Sequence, residues 1–301
     1  MGRLTAIVLG AAAGGGFPQW NCRCRVCQLA WSRDPRVKPR IQASLAVSSG
    51  DGEWTLLNAS PDLRTQIQAT PVLHPHQALR GSPIAAVVLS GAEIDQTAGL
   101  LTLRERQSFE LFATADTLTA LGGNPIFNVL AAGVVERIAV TLNKTFALPG
   151  GLQAEIFSVP GKAPLYLEGG DLVLDAETGA NVGIEIQASG QRLLYIPGAA
   201  GITPAMLDRC QRADVVLFDG TLFVDDEMII NETGTKTGRR MGHMPVAGAD
   251  GTLAALRHLT ARRILTHINN TNPILIEDSA ERRIVEAAGF EVAEDGMEIE
   301  L

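Results

Sequence analysis

Residues 84–89, Ile-Ala-Ala-Val-Val-Leu, form an unbroken apolar run that reads as a buried strand. The run gives way to Ser90-Gly91-Ala92-Glu93-Ile94-Asp95-Gln96-Thr97-Ala98-Gly99-Leu100, so that Glu93 and Asp95 alternate just past a strand end. On a solvated surface loop two carboxylates would need no explanation. Here Ile94, Ala98, Leu100 and Leu101 are apolar neighbours, which implies a partly buried loop. In such a loop two nearby carboxylates need a cation or a shared proton, because each desolvated charge is costly when uncompensated. A buried strand ending in a metal-binding loop is the first constraint on the fold.

Short β-rich segments separated by turns dominate the first two thirds of the chain. Strands are expected at 5–9, 43–48, 54–57, 152–159, 172–175, 182–188 and 192–196, with Gly50-Asp51-Gly52 as a hairpin signal. Ser60 is the expected cap of a short helix over 61–67. Thr203-Pro204, a cap followed by proline at the first position, starts a helix that runs to about residue 212. Strands at 214–218, 263–266 and 290–292 then alternate with a helix at 251–258 and another whose apolar face carries Ile276, Ala280, Ile284 and Ala288. No repeat, low-complexity tract or linker interrupts the chain. The expectation is one α/β domain over residues 1–301: strand-rich halves with helices outside, a four-layer αββα sandwich.

With 46% apolar residues the chain can bury a sizeable core. The net charge of −8 and the lack of any Lys/Arg run argue against a nucleic-acid surface, which needs clustered cations to displace phosphate counterions. No run approaches the roughly 18 apolar residues of a membrane span, and the N-terminus lacks the pattern of a signal peptide. Three of the four cysteines fall within six residues, which does not suit a disulfide framework and points to a reducing cytoplasm.

Cys22-Arg23-Cys24-Arg25-Val26-Cys27 is the strongest single motif. Thiolates in so tight a loop, about residues 14–30, can converge on one ion, and zinc favours four soft ligands of this type. The spacing does not match the usual iron–sulfur patterns. Gly10-Ala-Ala-Ala-Gly14-Gly15-Gly16 follows a strand but lacks the helix that would receive a pyrophosphate, so close backbone approach to a pocket is the better interpretation. Asp219 ends the strand at 214–218, where sheet proteins often place functional groups. His243 sits in Gly242-His243-Met244 after a polar, glycine-rich stretch at 231–240 that could form a lid, and His267 ends the strand at 263–266. Lys236, Arg239 and Arg240 in that stretch could neutralise substrate carboxylates or could be ordinary solvated cations. His74, His76 and His258 have no such context.

Together these residues resemble the metallo-β-lactamase superfamily over essentially the whole chain. The Gly-rich loop with its three cysteines, the loop at 90–100, Phe218-Asp219-Gly220-Thr221, Gly242-His243-Met244 and Leu265-Thr266-His267-Ile268-Asn269-Asn270-Thr271-Asn272-Pro273 follow the order of one branch, that concerned with synthesis of pyrroloquinoline quinone (PQQ). The superfamily motif Thr-His-x-His-x-Asp-His fits Ser90 to Gln96, with Gly91, Glu93 and Gln96 replacing histidines. The resemblance implies further losses: a histidine near 159–162 and a bridging aspartate within 196–199 are both missing. It leaves Asp95 and His267 as counterparts of metal ligands, Glu93 as a substitute, and Asp219 with His243 as a proton-transfer pair that could also turn onto a metal. In related phosphodiesterases the three cysteines and a histidine hold a structural zinc. Asn270 stands at that histidine's position, so the fourth partner is Asn270, a water or another side chain.

Two imidazoles and a carboxylate around one ion with open positions is the pattern of non-haem iron(II) oxygenases. The resemblance therefore implies structural Zn2+ and an active-site Fe2+ or other divalent metal. Its expected activity is hydroxylation of the tyrosine ring of a Glu–Tyr dipeptide or similar PQQ precursor. The alternative is a carrier that binds PQQ or its precursor and assists its transport. Either partner is a small molecule or dipeptide, with no nucleic acid and no membrane; a homodimer is left open.

Overall fold

Two mixed β-sheets stack face to face, and helices cover the outer face of each. The computed structural model describes residues 2–76, 78–162, 166 and 179–301, so the strand expected at 172–175 lies outside the described residues. The first sheet runs, in spatial order, β14 (Glu298–Glu300), β1 (Thr5–Gly10), β2 (Ser44–Ser48), β3 (Trp54–Leu57), β4 (Ile84–Val88), β5 (Phe109–Ala113) and β6 (Val135–Ala139). The second runs β13 (Phe290–Val292), β12 (Arg262–Thr266), β11 (Val215–Asp219), β10 (Gln191–Ile196), β9 (Val182–Ala188), β8 (Gln153–Ser158) and β7 (Phe146–Ala147). In both sheets the chain changes direction midway: β3 to β6 are parallel, as are β10 to β13, and the remaining pairs are antiparallel.

Strand periodicity distributes the apolar side chains between layers. Val215 and Leu217 of β11 join the cluster between the sheets, where they meet Leu45, Val47, Val88 and Ile184. Val216 and Phe218, pointing the other way, join the outer cluster beneath α5 (Pro204–Gln211), α8 (Thr252–Leu256) and α9 (Ala280–Ala287). On the far side Leu56, Val87 and Leu111 pack under α2 (Leu63–Ala69) and α4 (Ala115–Gly122). The result is the expected αββα sandwich. No helix among the described residues is long and apolar enough to cross a membrane.

Capping follows local chemistry, with one departure from expectation. Thr203 caps α5 by accepting the Met206 N–H at 3.2 Å, and Ser279 caps α9 by accepting that of Arg282 at 2.9 Å. The helix expected from Ser60 begins two residues later, with Asp62 at the cap position. The Asp62 carboxylate is engaged by the backbone and side chain of Gln42, at 2.9 and 3.0 Å, so it does not cap α2. The face expected on α9 is also rotated. Ile276 lies ahead of the helix and is buried there, Ile284 is 51% exposed, and Val285 is the side chain α9 buries. α9 turns the stripe through Val285 and Ala288 onto Phe290 and Val292, which leaves Ile284 toward solvent.

Glu227 begins α6 (Glu227–Ile230) and is buried. Its carboxylate accepts hydrogen bonds from the Phe223 N–H and the Thr271 hydroxyl, both at 2.6 Å, tying α6 to the loop that follows β12. Burial pushes its pKa up to about 7 against the lowering effect of those two bonds.

Two measurements check this description. Val285→Ala should destabilise the protein by roughly 1–3 kcal/mol through lost burial and a residual cavity, whereas Ile284→Ala should stay within about 0.5 kcal/mol. Equal denaturant midpoints for the two variants would contradict the orientation of α9. The carboxyl of Glu227 titrates higher when folded than when unfolded, so its effect on stability is absent below about pH 4.5 and grows unfavourable as pH rises through 7. Glu227→Gln, whose amide oxygen can accept the Phe223 N–H while its NH2 donates to the Thr271 hydroxyl, should therefore gain stability over the parent between pH 5 and 8. A gain independent of pH would show that the carboxyl does not titrate in that range.

Candidate metal centre

The C-terminal ends of β4, β10, β11 and β12 meet at one edge of the sandwich and enclose a cavity of roughly 470 Å³. Asp219 is the last residue of β11, His267 follows β12, and Asp95 lies in α3 (Ile94–Thr97), six residues beyond Leu89. His243 follows α7 (Gly238–Met241), whose left-handed C-terminal residue, Gly242, turns the chain into the cavity. Four sequence-distant segments thus deliver Asp95, Asp219, His243 and His267 to one place.

Thr221 organises them. Its hydroxyl lies 2.6 Å from Asp219 Oδ1, 2.9 Å from both the carbonyl oxygen and Nδ1 of His267, and 3.1 Å from His243 Nδ1. A hydroxyl has one proton, and the Asp219 carboxylate and the His267 carbonyl can only accept it. The Nδ1 atoms of both histidines must then carry protons of their own. His243 donates its Nδ1 proton to Asp219 Oδ2 at 2.7 Å, and His267 donates to Thr221. Asp219 is fully buried and fully engaged, its remaining contacts being the N–H groups of Ala199 at 2.9 Å and Thr221 at 3.0 Å.

This assignment leaves His267 Nε2 as a lone pair facing Asp95 Oδ2 at 2.9 Å. Two acceptors at that distance repel unless a proton or a metal cation lies between them. Burial works against ionising His267, but the hydrogen bond and charge of Asp95, with Asp219 and Glu93, raise its pKa. Asp95 and Asp219 are likewise opposed by burial and nevertheless lowered, Asp95 chiefly by its bond to His267 and Asp219 chiefly by the charge of His243. His267 itself adopts φ +57°, a left-handed conformation uncommon for a non-glycine residue, held by the Thr221 contacts and by the Ile268 N–H donated to Ala11 O at 2.9 Å.

The ligand atoms of Asp219, His243 and His267 lie within 4.8 Å of one another, and Asp95 joins them through His267. The set of two imidazoles and two carboxylates fits one divalent cation. Glu93 behaves differently: its carboxylate pairs with Lys162 at 3.2 Å. Gln96 accepts the Glu93 N–H at 3.1 Å and closes the first turn of α3. At Gly91 a Cβ would stand 2.6 Å from Gln96 Oε1 and 3.0 Å from the Ala180 carbonyl, so a side chain there would displace Gln96 from its place in the turn. The three positions that replace histidines therefore serve local structure and an ion pair. Gly14 and Gly15 line the cavity, with Gly14 against Asp95.

The three cysteines form a second group, their sulfurs again within 4.8 Å. Cys24 caps α1 (Arg25–Trp31). Asn270 is buried above the sulfurs, its Nδ2 lying 3.1 Å from Cys22, 3.8 Å from Cys24 and 3.3 Å from Cys27. Hydrogen bonding from Cys27 lowers the Cys24 pKa to about 5 despite burial, while the same contact and burial push Cys27 up. A thiolate is the form that binds metal.

The stretch at 231–240, expected as a lid, is pinned instead: Asp225 accepts N–H groups from Gly238 and Arg239, both at 2.8 Å. Arg239 is engaged with Asp250, and of the three cations considered there only Lys236 lines the cavity. His74, His76 and His258 are absent from its lining. Thr221 and Lys162 were not among the site residues expected from sequence. Thr221 follows Asp219-Gly220, but nothing in spacing or composition marks its hydroxyl as shared by two histidines.

Residues 53–268 match the beta-lactamase superfamily domain. The chain is 53% identical over 296 residues to coenzyme PQQ synthesis protein B of Methylorubrum extorquens, covering 98% of this chain and 99% of that protein. It is 52% identical over 301 residues to the protein of that name from Rhizobium meliloti, covering 99% and 98%. Its fold superposes with a TM-score of 0.97 on the crystal structure of Zn(2+)-bound PqqB from Methylobacterium extorquens, at 53% identity and covering 99% and 100% of the two chains. A diphosphatase from the PhnP family shares the fold alone, with a TM-score of 0.71 at 20% identity and coverage of 99% and 97%. The chain belongs to the coenzyme PQQ synthesis protein B family of the beta-lactamase superfamily.

Proposed function

We propose that this protein acts in PQQ biosynthesis as an iron-dependent hydroxylase of the tyrosine ring of a Glu–Tyr precursor. Its family membership supports the role in PQQ synthesis. The observation that carries the chemistry is the contact of His267 Nε2 with Asp95 Oδ2, two acceptors 2.9 Å apart beside a second imidazole. Asp95 and His267 would hold the ion, leaving Asp219 and His243 as the proton-transfer pair beside it. Bound there, ferrous iron would supply the activation of dioxygen that protein side chains lack.

The remaining steps belong to the chain's own groups. Hydroxylation of an aromatic ring by dioxygen replaces a C–H by C–OH, the second oxygen atom leaving as water at the expense of two electrons from an external reductant, and the ring proton must leave. Asp219 fixes His243 with its proton on Nδ1, so Nε2 of a ring that lines the cavity is the available base. Burial of Asp219 keeps that orientation, because turning the ring would strand a desolvated carboxylate. Ile94, Pro197, Met228 and Met241 offer apolar surface for the tyrosine ring. Cys22, Cys24 and Cys27 would hold a structural zinc that ties α1 to the loop after β12, with Asn270, whose amide now donates to the sulfurs, beside the fourth position; a relative's crystal structure contains Zn(2+).

The ion pair of Glu93 with Lys162 favours a second reading, a carrier for PQQ or its precursor, since it gives one wall of the cavity over to fixed charge. Equilibrium binding of PQQ that survives His267→Ala, without turnover of any precursor, would support the carrier.

Anaerobically iron-loaded protein given Glu–Tyr, oxygen and a reductant should yield a product heavier by one oxygen atom on the tyrosine ring. No oxygenated tyrosine from protein of confirmed iron content would contradict the hydroxylase. Thr221→Val should weaken metal binding at this centre, or slow turnover, by about 10–100-fold, while Thr221→Ser retains both and the metal held by the cysteines is unchanged. Metal content after chelator dialysis checks this, and an unaffected Thr221→Val protein would remove Thr221 from the centre.

A further inference from the structure

Among the described residues, the cavity holds one lysine that makes no ion pair. Glu93 and Lys162 pair at 3.2 Å, and Asp95 faces His267 at 2.9 Å. Lys236 also lines the cavity, and among the described residues it makes no ion pair. Its neighbours hold the backbone rather than compete for ligand. Thr237 caps α7 through the Arg240 N–H at 3.3 Å, Gly238 and Arg239 donate to Asp225 at 2.8 Å each, and the Arg239 guanidinium is turned onto Asp250. An exposed ammonium is thus carried on a fixed backbone into a cavity whose other charges are committed.

With a divalent cation at the centre, the positive charges around the cavity outnumber the carboxylates of Glu93, Asp95 and Asp219. A ligand that brings an anionic group restores the balance, and Lys236 is the group free to receive it. Ile94, Met228 and Met241, which line the same cavity, suit an aromatic ring. We propose that Lys236 is the specificity-determining residue of this cavity, and that it binds a free carboxylate of an aromatic dipeptide substrate. The proposal rests on the hydroxylase reading for the identity of the ligand and adds the residue that selects it.

Calorimetric binding to metal-loaded protein without oxygen tests it independently of turnover, with Glu–Tyr and the carboxylate-free analogue Gln–Tyr amide as probes. The parent protein should favour Glu–Tyr, and Lys236→Met should weaken Glu–Tyr about 10-fold while leaving Gln–Tyr amide unchanged. Lys236→Arg should keep the preference. A Lys236→Met protein that binds Glu–Tyr like the parent, or that loses both probes equally, overturns the assignment of Lys236 while leaving the hydroxylase reading intact. A parent protein that binds neither probe overturns the substrate reading, and the assignment falls with it.

Discussion

A single hydroxyl proton governs this site. Thr221 touches Asp219 and both histidines, yet can donate only once, and every other protonation state follows from that limit. His243 gives its Nδ1 proton to Asp219, His267 gives its own to Thr221, and His267 Nε2 is left facing the Asp95 carboxylate. A lone pair facing a carboxylate in a half-buried cavity is stable only with a positive charge between them. Without metal, a proton on His267 supplies it, consistent with the raised pKa of that ring and the lowered pKa of Asp95. With metal, the proton is displaced, so binding is coupled to proton release and weakens as pH falls.

The fold makes that arrangement possible by bringing strand ends to one edge. β4, β11 and β12 are buried strands whose interiors leave little freedom to slide, since a one-residue slip would turn Val215 and Leu217 out of the inter-sheet core. Asp219 and the residues after β4 and β12 are therefore positioned by hydrophobic packing far larger in sum than any contact within the site. This rigidity supports the strained backbone of His267, which isolated peptide would not retain. α6 links the two clusters, because Glu227 holds Thr271, which sits between Asn270 of the cysteine group and Asn272, whose side chain donates to the carbonyls of Gly220 and Thr221.

Much of this was legible in the sequence because it depends on local pattern. The unbroken apolar run at 215–218 marks a strand buried between two layers, Thr203-Pro204 marks a helix start, and the tight cysteine spacing marks convergent sulfurs. Asp219, His243 and His267 were legible as residues at strand ends and loop entries. Contacts across segments were not. The 172-residue separation of Asp95 from His267 leaves no trace in spacing, and neither does the hydroxyl of Thr221. Glu93 was legible from its place in the frame, whereas its ion-pair partner Lys162, distant in sequence, was not. The face of α9 was misjudged because a stripe of apolar residues at four-residue intervals fits a helix beginning earlier than Ser279 permits.

The central claim is that one cation can occupy the space between Asp95 and His267 while another is held by the cysteines. Diffraction at the iron and zinc absorption edges, on crystals of protein purified without oxygen, tests it most directly. The account predicts an iron peak in contact with Asp95 and His267 and a separate zinc peak beside Cys22, Cys24 and Cys27. A proton-sharing Asp95–His267 pair with no metal peak, in protein that still hydroxylates its substrate, would contradict it.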